Sequence, residues 1–437
     1  MNPRVAVMAL LLPMLLTECR HGSPLTAEAS IVAIVGASVI PMTSPDVLTD
    51  QTILLRGERI VAVAPRTMLR VPKGARTIDA RGLFVIPGLS DMHVHTRDED
   101  MPLFLANGIT TVREMNGTPT LLALRDAIAR RERLGPTLIV AGPLLAGEKQ
   151  RWRHLLISSP EEASSEVQRE IRAGYDEIKI YSGLSRQAWE AIAREAARGG
   201  KRFVGHVPKS VGIEDAVAWG QTTIEHTETI AQNAPDAAHI GRLVTLLHSH
   251  RTWFTPTLGV ELNIGMAGTA EYASRYESVP VDLVDPAIRA WWESLKQPRD
   301  HAPDPRYRQA KQLFVLAAAE GGVPMLLGTD CPNPLCVPGY GLHEETRALQ
   351  EAGLSPYTIL EMATKAPAAY LRKDGEFGVV APGARADLVL LRSNPLDDIA
   401  NLRHVEGVVV RGRHLDRTSL EQGVERVRAL LRERERP

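Results

Sequence analysis

The chain has 437 residues, of which 44% are hydrophobic and 24% charged, with a formal net charge of −1 at pH 7. That length suits one large domain with a small companion, and the composition is that of an ordinary globular protein. A balanced charge with no long run of one sign excludes a surface built for nucleic acid or acidic membrane.

The first segment is a targeting signal. Arg4 precedes the apolar run Val5 to Leu16, which is too short to span a bilayer and has the length of a signal-peptide core. Residues 1–23 therefore read as a signal peptide, and the product is expected to be exported, periplasmic or secreted. Cys19 follows LLTE, which resembles a lipoprotein cleavage box, but Glu18 stands where such a box has a small residue. A lipid anchor at Cys19 and plain cleavage between His21 and Ser23 both stay open.

From Ile31 onward, short alternating runs punctuated by Gly, Pro and Asp predict strands of a small sheet module over 31–84. The same texture returns over 375–416, so one β-domain is expected to be assembled from both chain ends. Residues 418–437 read as an amphipathic surface helix.

Between these pieces, over 85–372, strand-like and helix-like segments alternate, the pattern of a parallel sheet. Eight strand candidates can be counted: FVIPGLSDMHV, ITTVREM, TLIVAG, EIKIYS, RFVGHV, TTIEHT, WFTPTL and PMLLGTD. Eight strand–helix units predict the α/β class and a (β/α)8 TIM barrel. The long interval from Gly259 to Ala310, with Trp291, Trp292 and Tyr307, is placed to cover a site.

The unusual polar residues sit at the strand ends. His93 and His95 close the first candidate, and residues two apart on a strand face the same side. His206 ends the fifth, His226 the sixth and Asp330 the eighth, while Lys179 lies inside the fourth. Barrel active sites gather at the C-terminal strand ends, so six metal-capable residues from five strands should converge there. Any one strand-end His alone reads better as a hydrogen-bonded core residue; the joint placement points to metal. Lys179 is one of nine lysines and sits between two isoleucines. Burying its ammonium is costly unless the charge is paired or removed, by a salt bridge to Glu177 or Asp176 or by carbamylation with CO2.

These motifs, with GITTVREMNG, GTDCPNPLCVPGYGLHEE, TKAPAAYL and APGARADLVLL, resemble the amidohydrolase superfamily. The likeness is to its binuclear members related to imidazolonepropionase and to Xaa-Pro and Xaa-Arg dipeptidases. It covers nearly all of the mature chain and implies a β-sandwich beside the barrel. It further implies that His93 and His95 bind one divalent metal with Asp330, that His206 and His226 bind a second, and that carbamylated Lys179 bridges the two, with zinc as the default metal. Glu114, Asn116 and Cys331 depart from the family pattern without touching a ligand.

The metals would share and acidify a water, and Asp330 would carry its proton to the leaving nitrogen. Tyr181, on the same strand face as Lys179, is a candidate for binding the substrate or its oxyanion; a packed barrel tyrosine is the alternative. Arg113 is a candidate for a substrate carboxylate, with an internal ion pair as the alternative. The expected activity is hydrolysis of an amide C–N bond in a dipeptide or N-acyl amino acid. The alternatives are a cyclic amide, lactone, aryl ester or phosphotriester, a mononuclear deaminase, or a non-catalytic binding protein. The expected partner is a small-molecule or dipeptide substrate, and a homo-oligomer is expected. Cys331 and Cys336, five apart around a turn-rich PNPL, could close a disulfide or stay as small buried apolar groups.

Overall fold

A computed structural model describes residues 31–227, 236–298 and 305–435. The expected signal peptide and Cys19 lie outside the described residues. No helix among those described is long and apolar enough to cross a membrane.

Both chain ends enter one hydrogen-bonded sheet of eight strands. The leading part supplies β1 (Ile31–Val39), β2 (Leu48–Arg56), β3 (Arg59–Pro65), β4 (Arg76–Asp79) and β5 (Phe84–Pro87). The middle of the chain supplies β6 (Leu89–Val94), β7 (Ile109–Glu114), β8 (Thr137–Val140), β9 (Leu144–Ala146), β10 (His154–Leu156), β11 (Glu177–Ile180), β12 (Arg202–Gly205), β13 (Thr223–Glu225) and β14 (Trp253–Thr255). The chain then returns to the end sheet as β15 (Leu388–Leu391), β16 (Val405–Val410) and β17 (Arg413–Asp416). The end sheet runs β17-β16-β15-β5-β1-β2-β3, with β4 also paired to β1. Leu388 to Leu391 lie antiparallel to Pro87 to Phe84, which fastens the late segment to the early one. Ile34, Val39, Ile53, Val85, Leu388 and Val409 form its core, the buried half of the alternating pattern.

The middle strands are parallel, in one sheet ordered β6-β7-β8 and another ordered β10-β9-β11-β12-β13-β14. Helices separate most of them, and their starts are written in the sequence. Thr118, Ser159, Ser185, Asp236 and Ser355 each accept a hydrogen bond from the N–H three residues on, capping the helix that follows. The C-terminal helix spans Arg417–Arg434 and buries Leu420, Val424, Val427 and Leu431.

Two strand expectations need correction, and two further strands were not expected. FVIPGLSDMHV is two strands, because the chain changes sheets at Gly88: its N–H bonds to Asp387, while that of Leu89 bonds to Gly108. β5 therefore belongs to the end sheet and β6 to the parallel set. PMLLGTD forms no ladder; single parallel bridges tie Met325 to Phe254 and Cys331 to Val94, and a further bridge joins Ala141 to Glu177. β9 and β10, between the third and fourth predicted strands, had no separate expectation.

Candidate metal centre

The local backbone sets each side chain. His93 lies on β6 and His95 just beyond its end, and their rings stand 5.4 Å apart at 77°. Gly328 permits this approach, since a Cβ there would lie 2.8 Å from the His93 Cβ. Lys179 is fully buried on β11. Its stem passes Gly205, whose φ of +126° and lack of a Cβ leave room; a Cβ would sit 2.2 Å from the Ile180 carbonyl oxygen and 3.1 Å from Lys179 Cδ. His206 follows β12, and its ring stands 4.5 Å from that of His226. His226 and Asp330 both adopt left-handed backbone, with φ of +73° and +59°. Non-glycine residues rarely hold that conformation, and where they do it is often at functional sites. At His226 it breaks the strand alternation, so the consecutive Glu225 and His226 both reach the site.

Asp330 is the hub. Its Oδ1 is 3.1 Å from His95 Nε2 and 3.4 Å from His93 Nε2, and its Oδ2 is 3.9 Å from His226 Nδ1. His93, His226 and Asp330 bring one ligand atom each within 4.8 Å of one another. This trio draws on both ligand sets that the family resemblance implies. His93 and His226 rings are 4.8 Å apart.

At three of the four histidines the electrostatics suit a cation; the fourth, His95, would first give up a proton. Burial holds the His93, His206 and His226 imidazoles well below their ordinary value, with the Lys179 charge adding to the effect, so all three are neutral. Burial also pulls His95 down, but Asp330 and Glu114 outweigh it and hold that ring up at about 9. Burial lowers Lys179 to about 8. His93 Nε2, His95 Nδ1 and Lys179 Nζ are buried without a hydrogen-bond partner. Buried nitrogens left this way are costly, and divalent metals take neutral imidazole and carboxylate ligands. The donor set therefore fits a divalent cation.

Tyr181 packs its ring 4.2 Å from that of His206, at the mouth. Arg113 lies elsewhere than a substrate anchor would. It is fully buried beneath the site, donating to Glu225 Oε1 at 2.6 Å, the Met92 carbonyl at 2.6 Å and the Tyr370 hydroxyl at 3.1 Å. The internal ion pair, with Glu225 rather than Glu114, is what the geometry gives. Of the long interval, Trp291 reaches the site's edge: it meets Trp152 edge-on at 5.7 Å, and Trp152 stacks on His95 at 6.0 Å. Trp292 is buried in the core, and Tyr307 lies beside Lys311.

Two supporting residues, Glu225 and Thr257, escaped sequence reasoning, and a third, Glu114, was expected to touch no candidate ligand but faces His95. Glu225 Oε2 is 2.8 Å from His93 Nδ1, and Thr257 Oγ1 is 2.8 Å from His226 Nδ1. Glu114 accepts from the backbone N–H groups of Thr96 and Asn116, facing His95 Nδ1 at 3.9 Å. A carboxylate directly before the strand-end His226, in TTIEHT, was the available signal for Glu225. Beyond Asp330, Cys331 and Cys336 form a disulfide with Cα atoms 5.0 Å apart, packed against Gly341.

The amidohydrolase family pattern matches residues 84–415. The chain is 25% identical over 367 residues to adenine deaminase 2 of Bradyrhizobium sp. (strain ORS 278), covering 82% of this chain and 54% of that protein. It is 25% identical over 349 residues to the imidazolonepropionase of Salinispora arenicola (strain CNS-205), covering 73% and 80%. The chain thus spans about half the length of the adenine deaminases it matches. A solved Xaa-Pro dipeptidase with methionine in its active site superposes with a TM-score of 0.67 at 20% identity, over 89% of this chain and 100% of that one. At such identity the likeness is one of fold, of the TIM-barrel type. A family match that runs from the strand before His93 to the last strand of the end sheet covers most of the molecule: the chain belongs to the amidohydrolase family.

Proposed function

We propose that this amidohydrolase cleaves the amide C–N bond of a dipeptide or N-acyl amino acid at a two-metal centre. The observation that carries the reading is the convergence on Asp330 of His93, His95 and His226, with His206 and an unpartnered, buried Lys179 beside them. A closed (β/α)8 barrel flanked by a β-sandwich is part of the proposal. It is supported by the succession β6, β7, β8, β11, β12, β13, β14 and 325–331, joined neighbour to neighbour by ladders or bridges.

His93, His95 and Asp330 would hold one metal, and His206 and His226 the other. Carbamylation of Lys179 suits an amine lowered to about 8, since the neutral amine attacks CO2 and the product exchanges a buried cation for an anion. Bound there, two divalent metals, zinc by default, would acidify a water and polarise the scissile carbonyl. Asp330 takes a proton at its carboxylate and delivers it to the leaving nitrogen. Tyr181, whose ring packs 4.2 Å from that of His206, would bind the substrate carbonyl oxygen, and Trp152 with Trp291 would shield the His95 side from water. Export of the chain is part of the same reading, and the Cys331–Cys336 bridge supports it, because such bonds persist in oxidising compartments.

Deamination is the second reading, favoured by the relatives named adenine deaminase. Metal content and a substrate screen separate the readings. Two metal equivalents per chain and turnover of dipeptides or N-acyl amino acids are expected. One equivalent with ammonia release from an aminopurine would favour deamination. Turnover confined to cyclic amides, lactones, aryl esters or phosphotriesters would overturn the substrate class.

A further inference from the structure

A cavity of about 730 Å³ lies outside the metal centre, and none of the six candidate ligands lines it. Its charged wall comes from three separate elements. Arg275 lies on the helix Ala270–Ser278, Arg347 on Gly341–Glu351, and Arg403 ends the short helix Ile399–Arg403. All three turn towards one carboxylate, that of Glu344. Arg403 Nη2 is 2.8 Å from Glu344 Oε1 and Arg347 Nη2 is 2.9 Å from Oε2, while Arg275 Nη1 stays 3.7 Å from Oε2. The lining therefore holds three guanidinium groups against one acid. Glu271 and Glu351, which approach Arg275 and Arg347, do not line the cavity and are more exposed than the arginines they approach. His343, also in the wall, is held down at about 3 by burial and adds no charge.

Arg275 has donors to spare. A guanidinium carries five N–H groups, and among the described residues its one hydrogen bond runs to Asn263 Oδ1 at 3.2 Å. Burial and the neighbouring Arg347 charge lower it from its ordinary value, and an added anion would offset the Arg347 repulsion. The lining also carries Val279, Leu335, Val337 and Tyr340, which give it an apolar part. A guanidinium fork matches a carboxylate in two parallel hydrogen bonds, and an apolar wall takes a hydrocarbon body.

We infer that this cavity is a second ligand site, taking a small organic carboxylate with an apolar body. The carboxylate sits on Arg275 and Arg403, and the body lies against Leu335 and Val337. Those two residues belong to the loop that begins at Cys331, directly after Asp330, and the disulfide lies on that loop. The site is separate from the chemistry proposed above and stands whether or not that substrate class is right.

The test is calorimetric titration of the full, metal-loaded chain with 4-phenylbutyrate, its neutral amide and inorganic phosphate. One saturable site for 4-phenylbutyrate is expected, with the amide weaker by about tenfold or more. The double variant Arg275→Gln, Arg403→Gln should lose about tenfold or more in affinity, and Asp330→Asn should titrate like the parent. Arg275→Lys keeps the charge without the fork and should fall between; it serves if the double variant does not fold. Equal binding of acid and amide, unchanged binding in the arginine variants, or loss in Asp330→Asn would overturn the site. Phosphate binding tighter than 4-phenylbutyrate would overturn the ligand class.

Discussion

Glu225 Oε2 lies 2.8 Å from His93 Nδ1, and the other oxygen of the same carboxylate is 2.6 Å from Arg113 Nη2. Because burial keeps the His93 ring neutral, Nδ1 carries the proton and donates it to Glu225, leaving the Nε2 lone pair facing Asp330. Burial alone would raise the Glu225 carboxyl, but the Arg113 and Lys179 charges reverse this and hold it below the ordinary value, so it stays anionic. Glu225 thus sets both the tautomer and the aim of the His93 ring, a candidate ligand.

Glu225→Gln should therefore weaken metal binding by about 10–100-fold, as losses of such ligand-orienting carboxylates do. Glu225→Ala should also destabilise the fold, by roughly 3–5 kcal/mol, because it strips Arg113 of its closest carboxylate partner. Chelator competition and denaturant unfolding measure the two effects. Parent-like metal affinity in Glu225→Gln would remove the orienting role.

Lys179→Ala should lose most activity and one metal equivalent, with partial recovery in short-chain carboxylic acids that stand in for the carbamate. Atomic emission on the purified variant gives the metal count. Two retained metals with the parent rate would show that Lys179 bridges nothing.

Asp330→Asn should keep part of the metal while kcat falls by several orders of magnitude, on the order of 10³-fold or more for a lost proton shuttle and weakened ligand. Steady-state rates on the best substrate, normalised to metal content, provide the check. A kcat within about tenfold of the parent would exclude Asp330 as the essential base.

Glu345, which is not one of the candidate ligands, gives a pH dependence of its own. Burial raises its carboxyl from 4.5 to about 8, against the opposing hydrogen bonds from the Gly259 and Leu258 N–H groups. The folded chain therefore holds a proton between these values that the unfolded chain releases. Its contribution is complete below about 4.5 and is lost as pH rises to about 8. In Glu345→Gln the stability curve should flatten across that window by up to about 1.4 kcal/mol per pH unit. Urea unfolding at several pH values from 5 to 8 reads this, and curves parallel to the parent's would refute it.

The Cys331–Cys336 bridge should appear as an intact linked peptide in a non-reduced digest of exported protein. Replacing both residues by serine should cost at most about 2–3 kcal/mol of stability, since the loop is short. The larger expected effect is a fall in kcat as the segment after Asp330 loosens. Two free, alkylatable thiols in the exported chain would contradict the bridge.

The candidate ligands were legible because their signal is local. A period of two places His93 beside His95, a polar residue after an apolar run marks His206 and Asp330, and the end of a strand-like segment marks His226, without knowledge of any neighbour. The return of strand texture after Arg372 likewise announced that both chain ends share a β-module. What surrounds those ligands depends on contacts across the fold. Arg113 reads equally well as a substrate anchor or an internal partner until Glu225, 112 residues away, is found against it. Trp152 and Trp291 meet only because the segment before β10 and the helix Pro286–Ser294 converge beside His95. The left-handed turns at His226 and Asp330 are uncommon at any non-glycine residue, although His and Asp tolerate them better than most, so no local rule predicts them at these two positions. The strand break at Gly88 has the same origin, because a continuous apolar run does not say which sheet each half will join until Asp387 and Gly108 compete for its backbone.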